Sequence, residues 1–256
     1  MSMQARKQEI KLIALDLDGT LLNEEGKVSE INRQAIKEAE QRGVKVLVST
    51  GRAYLTCNEI TKSLELSSYL ITVNGSEIYD VTGALVERVT LGTDLIKWMY
   101  GLSQEYKTGF WATCTENVWR GKMPEDITAR EWMKFGFNIE DDNVREHIMG
   151  LLKQTGKLEI SNSSPTNIEA NAIGINKAKA IGKVCGFLGL EMQNVMAIGD
   201  SLNDIAMIRE AGLGVAMGNA QEIVKATADW VTESNKNDGV AKAIYEWVLT
   251  KQTFLL

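Results

Sequence analysis

Asp16 and Asp18 stand two residues apart in the run Asp16-Leu17-Asp18-Gly19-Thr20, at the end of the apolar stretch IKLIALDL. If that stretch is a strand, residues i and i+2 share a face, and the two carboxylates project side by side. Two unpaired carboxylates after an apolar run are costly unless a cation or a reaction uses them. One can attack phosphorus as a nucleophile, while the other protonates the leaving oxygen and later activates water. Gly19 lets the backbone turn sharply away, bringing main-chain N–H groups close to a phosphate. The bland reading is an Asp-Gly turn with incidental acids.

Three further clusters fit the same chemistry. In Ser49-Thr50-Gly51-Arg52, after the run VKVLVST, a hydroxyl and the amides opening a helix suit a phosphate oxygen, although the same residues also serve as a common helix entry. Gly199-Asp200-Ser201-Leu202-Asn203-Asp204 ends the run NVMAIGD with an oxygen-rich acidic rim and no soft ligands. Oxygen-only sites select Mg²⁺, which keeps several waters and shares itself with substrate phosphate; Asp200 or Asn203 can also simply cap a helix. Lys177 opens a later helical pattern, where a lysine serves phosphate as a point charge, and Asn74-Gly75 reads first as a turn.

These clusters need a frame that brings strand ends together. Short apolar runs at IKLIALDL, VKVLVST and YLITVNG lack period-2 alternation, as strands buried on both faces should, and helical patterns at 30–42 and 53–66 separate them. The rhythm returns after Gly174, with a helix over Lys177–Leu188, a strand NVMAIGD, a helix over 204–211, strands LGVAMG and DWVTES, and a last helix through Trp247. This is an α/β, Rossmann-like parallel sheet with helices on both faces, whose ligands bind beyond the carboxyl ends of the strands. Between the halves the texture changes. A helix over 93–106, a hairpin GFWATC/NVWRG turning at 115–117, helical patterns at 127–135 and 144–154, and strands KLEIS and NIEAN around SNSSPT predict an inserted α+β domain with an antiparallel sheet. The expected division is a discontinuous core, 1–81 and 172–256, and an insert, 82–171.

Composition narrows the partners. A net charge of -6 argues against a nucleic-acid or anionic-membrane surface. Cys57, Cys114 and Cys185 are odd in number and widely spaced, which points away from a disulfide framework or zinc site and toward a reducing cytoplasm. His147 is the only histidine, so histidine triads and multi-histidine metal sites are out of reach. Residues 1–9 are polar, unlike a signal peptide, and no stretch approaches the ~20 apolar residues of a membrane span. The insert carries Trp98, Trp111, Trp119 and Trp132; most are expected in its core, although they could stack on a flat ring.

DLDGTLL, STGR, a lysine after the insert, and GDSLND occur here in the order found in haloacid dehalogenase-like phosphatases. The chain resembles the Cof-type branch, with its cap between the second and third motifs; VNGSEIYD, AGLGVAMGNA and ADWVTESNKNDGVAKAI are similar to stretches of that branch. The resemblance implies a Mg²⁺-dependent phosphatase acting on a small organic phosphomonoester: a sugar phosphate, a ribityl or flavin phosphate, or pyridoxal phosphate. It implies Asp16 as nucleophile and metal ligand, and Asp18 as general acid/base with its carbonyl on the metal. Leu17, Thr50, Gly51, Lys177 and Asn203 would bind phosphate, and Asp200 and Asp204 the metal, Asp204 directly or from behind. Ala178 departs from the family, which commonly has glycine after the lysine, and makes Lys179 the fallback. A phosphosugar mutase and a phospho-aspartate signalling module are the alternatives; the acid Asp18 beside the nucleophile opposes the long-lived phosphoenzyme that signalling needs. The expected assembly is a monomer or weak homodimer.

Overall fold

A computed structural model describes residues 9–250. The chain opens with β1 (Leu12–Leu15), all four residues of which are buried. Helix α1 (Glu30–Gln41) starts at Ser29, whose hydroxyl accepts from the Asn32 N–H, and leads to β2 (Lys45–Ser49). Helix α2 (Tyr54–Lys62) leads to β3 (Leu70–Thr72), and a turn through Val73–Gly75 reverses the chain into β4 (Glu77–Tyr79) and β5 (Leu85–Arg88). The middle of the chain forms α3 (Thr93–Glu105), β6 (Gly109–Cys114), β7 (Val118–Arg120), β8 (Trp132–Asn138), α4 (Asp142–Gln154), β9 (Leu158–Ser161) and β10 (Asn167–Ala172). The rest forms α5 (Lys177–Leu188), β11 (Val195–Gly199), α6 (Ile205–Glu210), β12 (Leu213–Ala216), α7 (Glu222–Thr227), β13 (Trp230–Val231) and α8 (Gly239–Ile244).

Among the described residues these strands make two sheets. The larger runs β13-β12-β11-β1-β2-β3-β4-β5 and is parallel from β13 to β3, then antiparallel through β4 and β5. Alternate residues of its central strands feed two different cores. Ile13, Leu15, Val46, Val48, Met196 and Ile198 meet Ala35, Ile36 and Ala39 of α1 and the apolar face of α8. Leu12, Ala14, Leu47, Val195 and Ala197 meet Ala178, Ile181 and Val184 of α5. Burial on both faces is why these strands read as continuous apolar runs. The smaller sheet, order β7-β6-β8-β10-β9, is wholly antiparallel. Phe110, Ala112, Phe135, Phe137, Ile168 and Ala170 turn one of its faces onto α3 and α4. Its opposite face looks toward the carboxyl ends of the larger sheet.

Two features depart from expectation. The helical pattern at 127–135 is instead one 3₁₀ turn, Ile127–Ala129, followed by strand β8. Asp126 caps that turn by accepting from Thr128 and Ala129 N–H groups, which gives the segment its helical start. Beyond it, Phe135 and Phe137 alternate with Lys134, Gly136 and Asn138, and period two prevails. At the other end, β4 and β5 were not foreseen as strands. Leu85–Arg88 falls within 82–171 but pairs with β4 as the edge of the larger sheet.

Candidate active site

Asp16 follows β1 and is 5% exposed. It lies beside Asp200, which follows the adjacent strand β11, and Asp204, in the next turn; one oxygen from each of the three falls within 4.8 Å of the others. Gly19 permits this packing. Its φ is +78°, and a Cβ there would stand 2.4 Å from Asp200 Oδ2. Thr20 and Ser201 hydroxyls each donate to Asp200 at 3.0 Å.

Lys177 supplies the cation. Asn176 caps α5 by accepting from the Lys179 N–H, which fixes Lys177 at the first helical position. The Lys177 ammonium donates to Asp16 at 2.5 Å and to Asp204 at 2.6 Å, and the side chain is fully buried. Lys179 is exposed, so the lysine that reaches the carboxylates is Lys177. Asp204 also accepts from the Asp200 and Ser201 N–H groups at 2.9 and 3.0 Å. Burial pushes the Asp16 carboxyl well above the ordinary value; Lys177 opposes this, while Asp204 and Asp200 add to it. Burial, then Asp204, pushes Asp200 up to about 6. Burial would lower Lys177, but Asp16 and Asp204 carry it above the ordinary ammonium value. Three hard oxygen donors facing one ammonium leave negative charge uncompensated, the setting in which a small divalent cation binds.

Asp18 lines the same cavity as Asp16, but its side chain is more than half exposed at the rim. Both its oxygens are taken by Arg52, from Nε at 2.8 Å and Nη2 at 2.6 Å. Thr50 is buried at the end of β2, and its hydroxyl oxygen accepts from the Arg52 N–H at 3.1 Å, leaving the O–H to donate. The Leu17 side chain is buried in the core, which leaves its main chain to face the site. Asn203 donates to Asn74 at 3.3 Å.

The smaller sheet roofs these residues over a cavity of about 730 Å³, lined from below by Asp16, Asp18, Gly51, Arg52, Asp200 and Asn203. From above, Lys134 of β8 reaches down to the Gly51 carbonyl at 2.7 Å and pairs with Glu169 of β10 at 3.1 Å. Glu169 also accepts from Asn74 at 2.6 Å and from the Ser163 hydroxyl at 2.8 Å. Burial would raise Glu169, but Lys134 and these hydrogen bonds hold it below the ordinary carboxylate value. Asn171 bridges the sheets, donating to the Val73, Ser76 and Met133 oxygens. The loop SNSSPT reaches the site: the Asn162 carbonyl accepts from the Asn203 N–H at 3.1 Å. The hairpin tip at 115–117 does not line the cavity, which is bordered instead by Thr113 and Val118 at its base. Glu116 at the tip is paired with Arg130.

Sequence reasoning missed Lys134, Glu169 and Asn171, and undervalued Asn74. The visible trace was polar residues alternating with core residues in strands: Lys134 between Met133 and Phe135, Glu169 between Ile168 and Ala170.

The haloacid dehalogenase-like hydrolase family matches residues 13–149 and 122–244. The 5-amino-6-(5-phospho-D-ribitylamino)uracil phosphatase YcsE of Bacillus subtilis (strain 168) is 60% identical over 249 residues, covering 97% of this chain and all of that protein. A second Bacillus subtilis protein, the phosphatase YwpJ, is 31% identical across 91% of this chain and 98% of its own. Among solved structures, a haloacid dehalogenase-like hydrolase from B. subtilis superposes with a TM-score of 0.86 at 25% identity, covering 93% of this chain and 100% of that one. A phosphatase of the haloalkanoate enzyme superfamily from Bacteroides thetaiotaomicron gives 0.82 at 27%, covering 96% and 97%.

Proposed function

The chain belongs to the haloacid dehalogenase-like hydrolase family and is a phosphatase of small phosphorylated metabolites, and from that premise we propose that its substrate is 5-amino-6-(5-phospho-D-ribitylamino)uracil. The observation that carries this is the likeness to YcsE, which runs through the roofing sheet as well as the catalytic segments. A 730 Å³ cavity with polar and aromatic lining suits a phosphate, a polyol chain and a ring in one enclosure.

In this reading, an Asp16 oxygen attacks phosphorus. The ester P–O bond breaks, and the departing ribityl oxygen takes the proton of Asp18. Ionised Asp18 then removes a proton from a water that attacks the phosphorus of phospho-Asp16, and the bond to Asp16 breaks, freeing inorganic phosphate. The Thr50 hydroxyl, the main-chain N–H groups of Leu17 and Gly51, Asn203 and Lys177 hold the phosphoryl oxygens. Asp16, Asp200 and the Asp18 carbonyl would hold Mg²⁺, which would neutralise charge on the phosphoryl oxygens. Asp204, with three acceptor positions already used, completes the metal end by fixing Lys177 and the turn after β11. Arg52 must release Asp18, or shift with it, for the carboxyl to reach the leaving oxygen.

Three buried, unpaired cysteines fit a reducing cytoplasm. Among the described residues, no helix is long and apolar enough to cross a membrane.

The test is phosphate release with Mg²⁺ over a panel holding this ester, pyridoxal phosphate, flavin mononucleotide and sugar phosphates. The ribitylaminouracil ester should show a kcat/KM at least about tenfold above the others, a difference of ~1.4 kcal/mol in transition-state binding. A different preferred ester would overturn the substrate and leave the phosphatase.

A further inference from the structure

The roofing sheet carries a row of four residues in register across four strands. Arg120 on β7 faces Trp111 on β6, Trp111 faces Gly136 on β8, and Gly136 faces Glu169 on β10. Directly opposed residues share a face, so this whole row looks toward the carboxylates. Trp111, Arg120 and Glu169 all line the main cavity.

Gly136 is the gap in that row, and Trp111 fills it. A Cβ at Gly136 would stand 2.2 Å from Cε2 and Cζ2 of the indole and 2.6 Å from Cδ2, so the ring lies across the strand where any other residue would place a side chain. The other three cap tryptophans are disposed differently. Trp132 is fully buried on the opposite face, Trp119 packs partly into that core beneath Arg130, and Trp98 lies on α3 with 36% of its surface exposed.

Position along the strands sets what such a ring can meet. Lys134, which touches the Gly51 carbonyl beside the phosphate-binding residues, lies in the neighbouring row, two residues along β8 from Gly136. That separation is about 7 Å. Trp111 therefore lines the same cavity one row away from the Lys134 contact with Gly51, within reach of a group attached to the phosphate through a chain.

We propose that Trp111, laid over Gly136, is the stacking floor for a planar heterocycle carried at the far end of the substrate's polyol chain, with Arg120 donating to ring oxygens. This rests on the ribitylaminouracil reading and deepens it, because it makes the ring a required feature of the ester. Stacking suits an uncharged pyrimidine, whose π-face is its largest apolar surface, while the guanidinium beside it answers carbonyl acceptors.

The test compares kcat/KM for 5-amino-6-(5-phospho-D-ribitylamino)uracil with that for ribitol 5-phosphate, the same chain without the ring. The quantity read is their ratio in wild type, Trp111→Phe, Trp111→Leu and Gly136→Ala, each checked for a cooperative melt. Base–aromatic stacking of this kind is worth roughly ten- to hundredfold, so Trp111→Leu should cut the ratio by that factor while Trp111→Phe keeps most of it. The loss should fall on KM for the ring ester. Gly136→Ala keeps the indole but forces it off the strand, and should also cut the ratio. A wild type that prefers the ring ester, with Trp111→Leu retaining that preference within about twofold, overturns the stacking floor alone. A wild type indifferent to the ring overturns the substrate and the floor together.

Discussion

Lys177 Nζ stands 2.5 Å from Asp16 Oδ1, and its side chain is wholly withdrawn from solvent. It cannot be a surface charge that happens to lie near the site, because it pairs with Asp16 and Asp204, both at or near complete burial. Helix α5 delivers it there from the far end of the inserted segment, so the return of the chain from the roof and the assembly of the carboxylate cluster are one event.

Removing that cation should therefore destabilise the metal-free protein. Breaking a buried pair costs about 3–5 kcal/mol, which in a chain of this size is a melting-temperature loss on the order of 10 °C. Protonated carboxylates need no counter-charge, so the deficit of Lys177→Met relative to wild type should shrink between pH 7.5 and pH 5. A deficit independent of pH would mean that Lys177 acts through packing and not through charge.

Metal binding should be coupled to protons. Asp200 is pushed up to about 6, so below that pH its protonated form competes with the ion. With this raised value the folded metal-free protein binds protons that the unfolded chain has released. Its stability from this group therefore falls as pH rises from about 4 to about 6, and is lowest above it. Mg²⁺ should raise the melting temperature more at pH 7.5 than at pH 5.5, and its apparent affinity should weaken steeply below pH 6. Calorimetric titration at the two pH values measures this, and equal affinities would remove Asp200 from the ligand set. EDTA should abolish turnover, with Mg²⁺ restoring it.

Much of this was legible in the sequence. The β1, β2 and β11 runs were readable because both faces of those strands are buried, and the acids stood at the ends of β1 and β11. What escaped notice was chemistry brought in from the roof. Lys134 and Glu169 lie thirty-five residues apart, and nothing near either one marks it as a partner of Gly51 or Asn74. The pattern at 127–135 failed for a local reason, since a single capped turn precedes the strand. Asn74 looked like an ordinary turn residue. Its φ of +60°, next to Val73 at +50°, is a conformation that costs energy, and the hydrogen bonds to Glu169, Asn171 and Asn203 oppose that cost.

Asp16→Asn should give no phosphoenzyme, whereas Asp18→Asn should slow turnover and still bind Mg²⁺. General acid–base help is worth about 10²–10⁴-fold, so Asp18→Asn should lose activity on that order with an alkyl ester. A nitrophenyl ester, whose leaving group needs little protonation, should lose less in single-turnover phosphorylation. Equal losses for the two esters would remove Asp18 from the role of leaving-group acid.

Gly19→Ala should be damaging well beyond the loss of a flexible turn. The new Cβ would meet Asp200 Oδ2 at 2.4 Å, and the backbone already sits at φ +78°, where alanine is strained. Either Asp200 withdraws from Asp16 or the turn after β1 moves away from β11, and both separate the carboxylates. Mg²⁺ affinity and kcat should fall together, while the fold survives with a modest drop in melting temperature. A variant that binds Mg²⁺ as wild type does would show that the turn yields without disturbing Asp200.

The Lys134–Glu169 pair should reveal whether the roof and the floor act as one unit. Both side chains are about 5% exposed, and the pair touches Gly51, Asn74 and Ser163, so either partner alone would be left as a buried charge. Lys134→Met should therefore cost about 3–5 kcal/mol, and the double variant Lys134→Met/Glu169→Gln distinctly less, because it strands no charge. Activity should not recover in parallel. The double variant lacks the ammonium that holds the Gly51 carbonyl, so its kcat should stay low on every ester, with no change of preference among them. Recovery of both stability and rate would reduce the pair to a structural pairing, with no part in aligning the Gly51 loop beneath the roof.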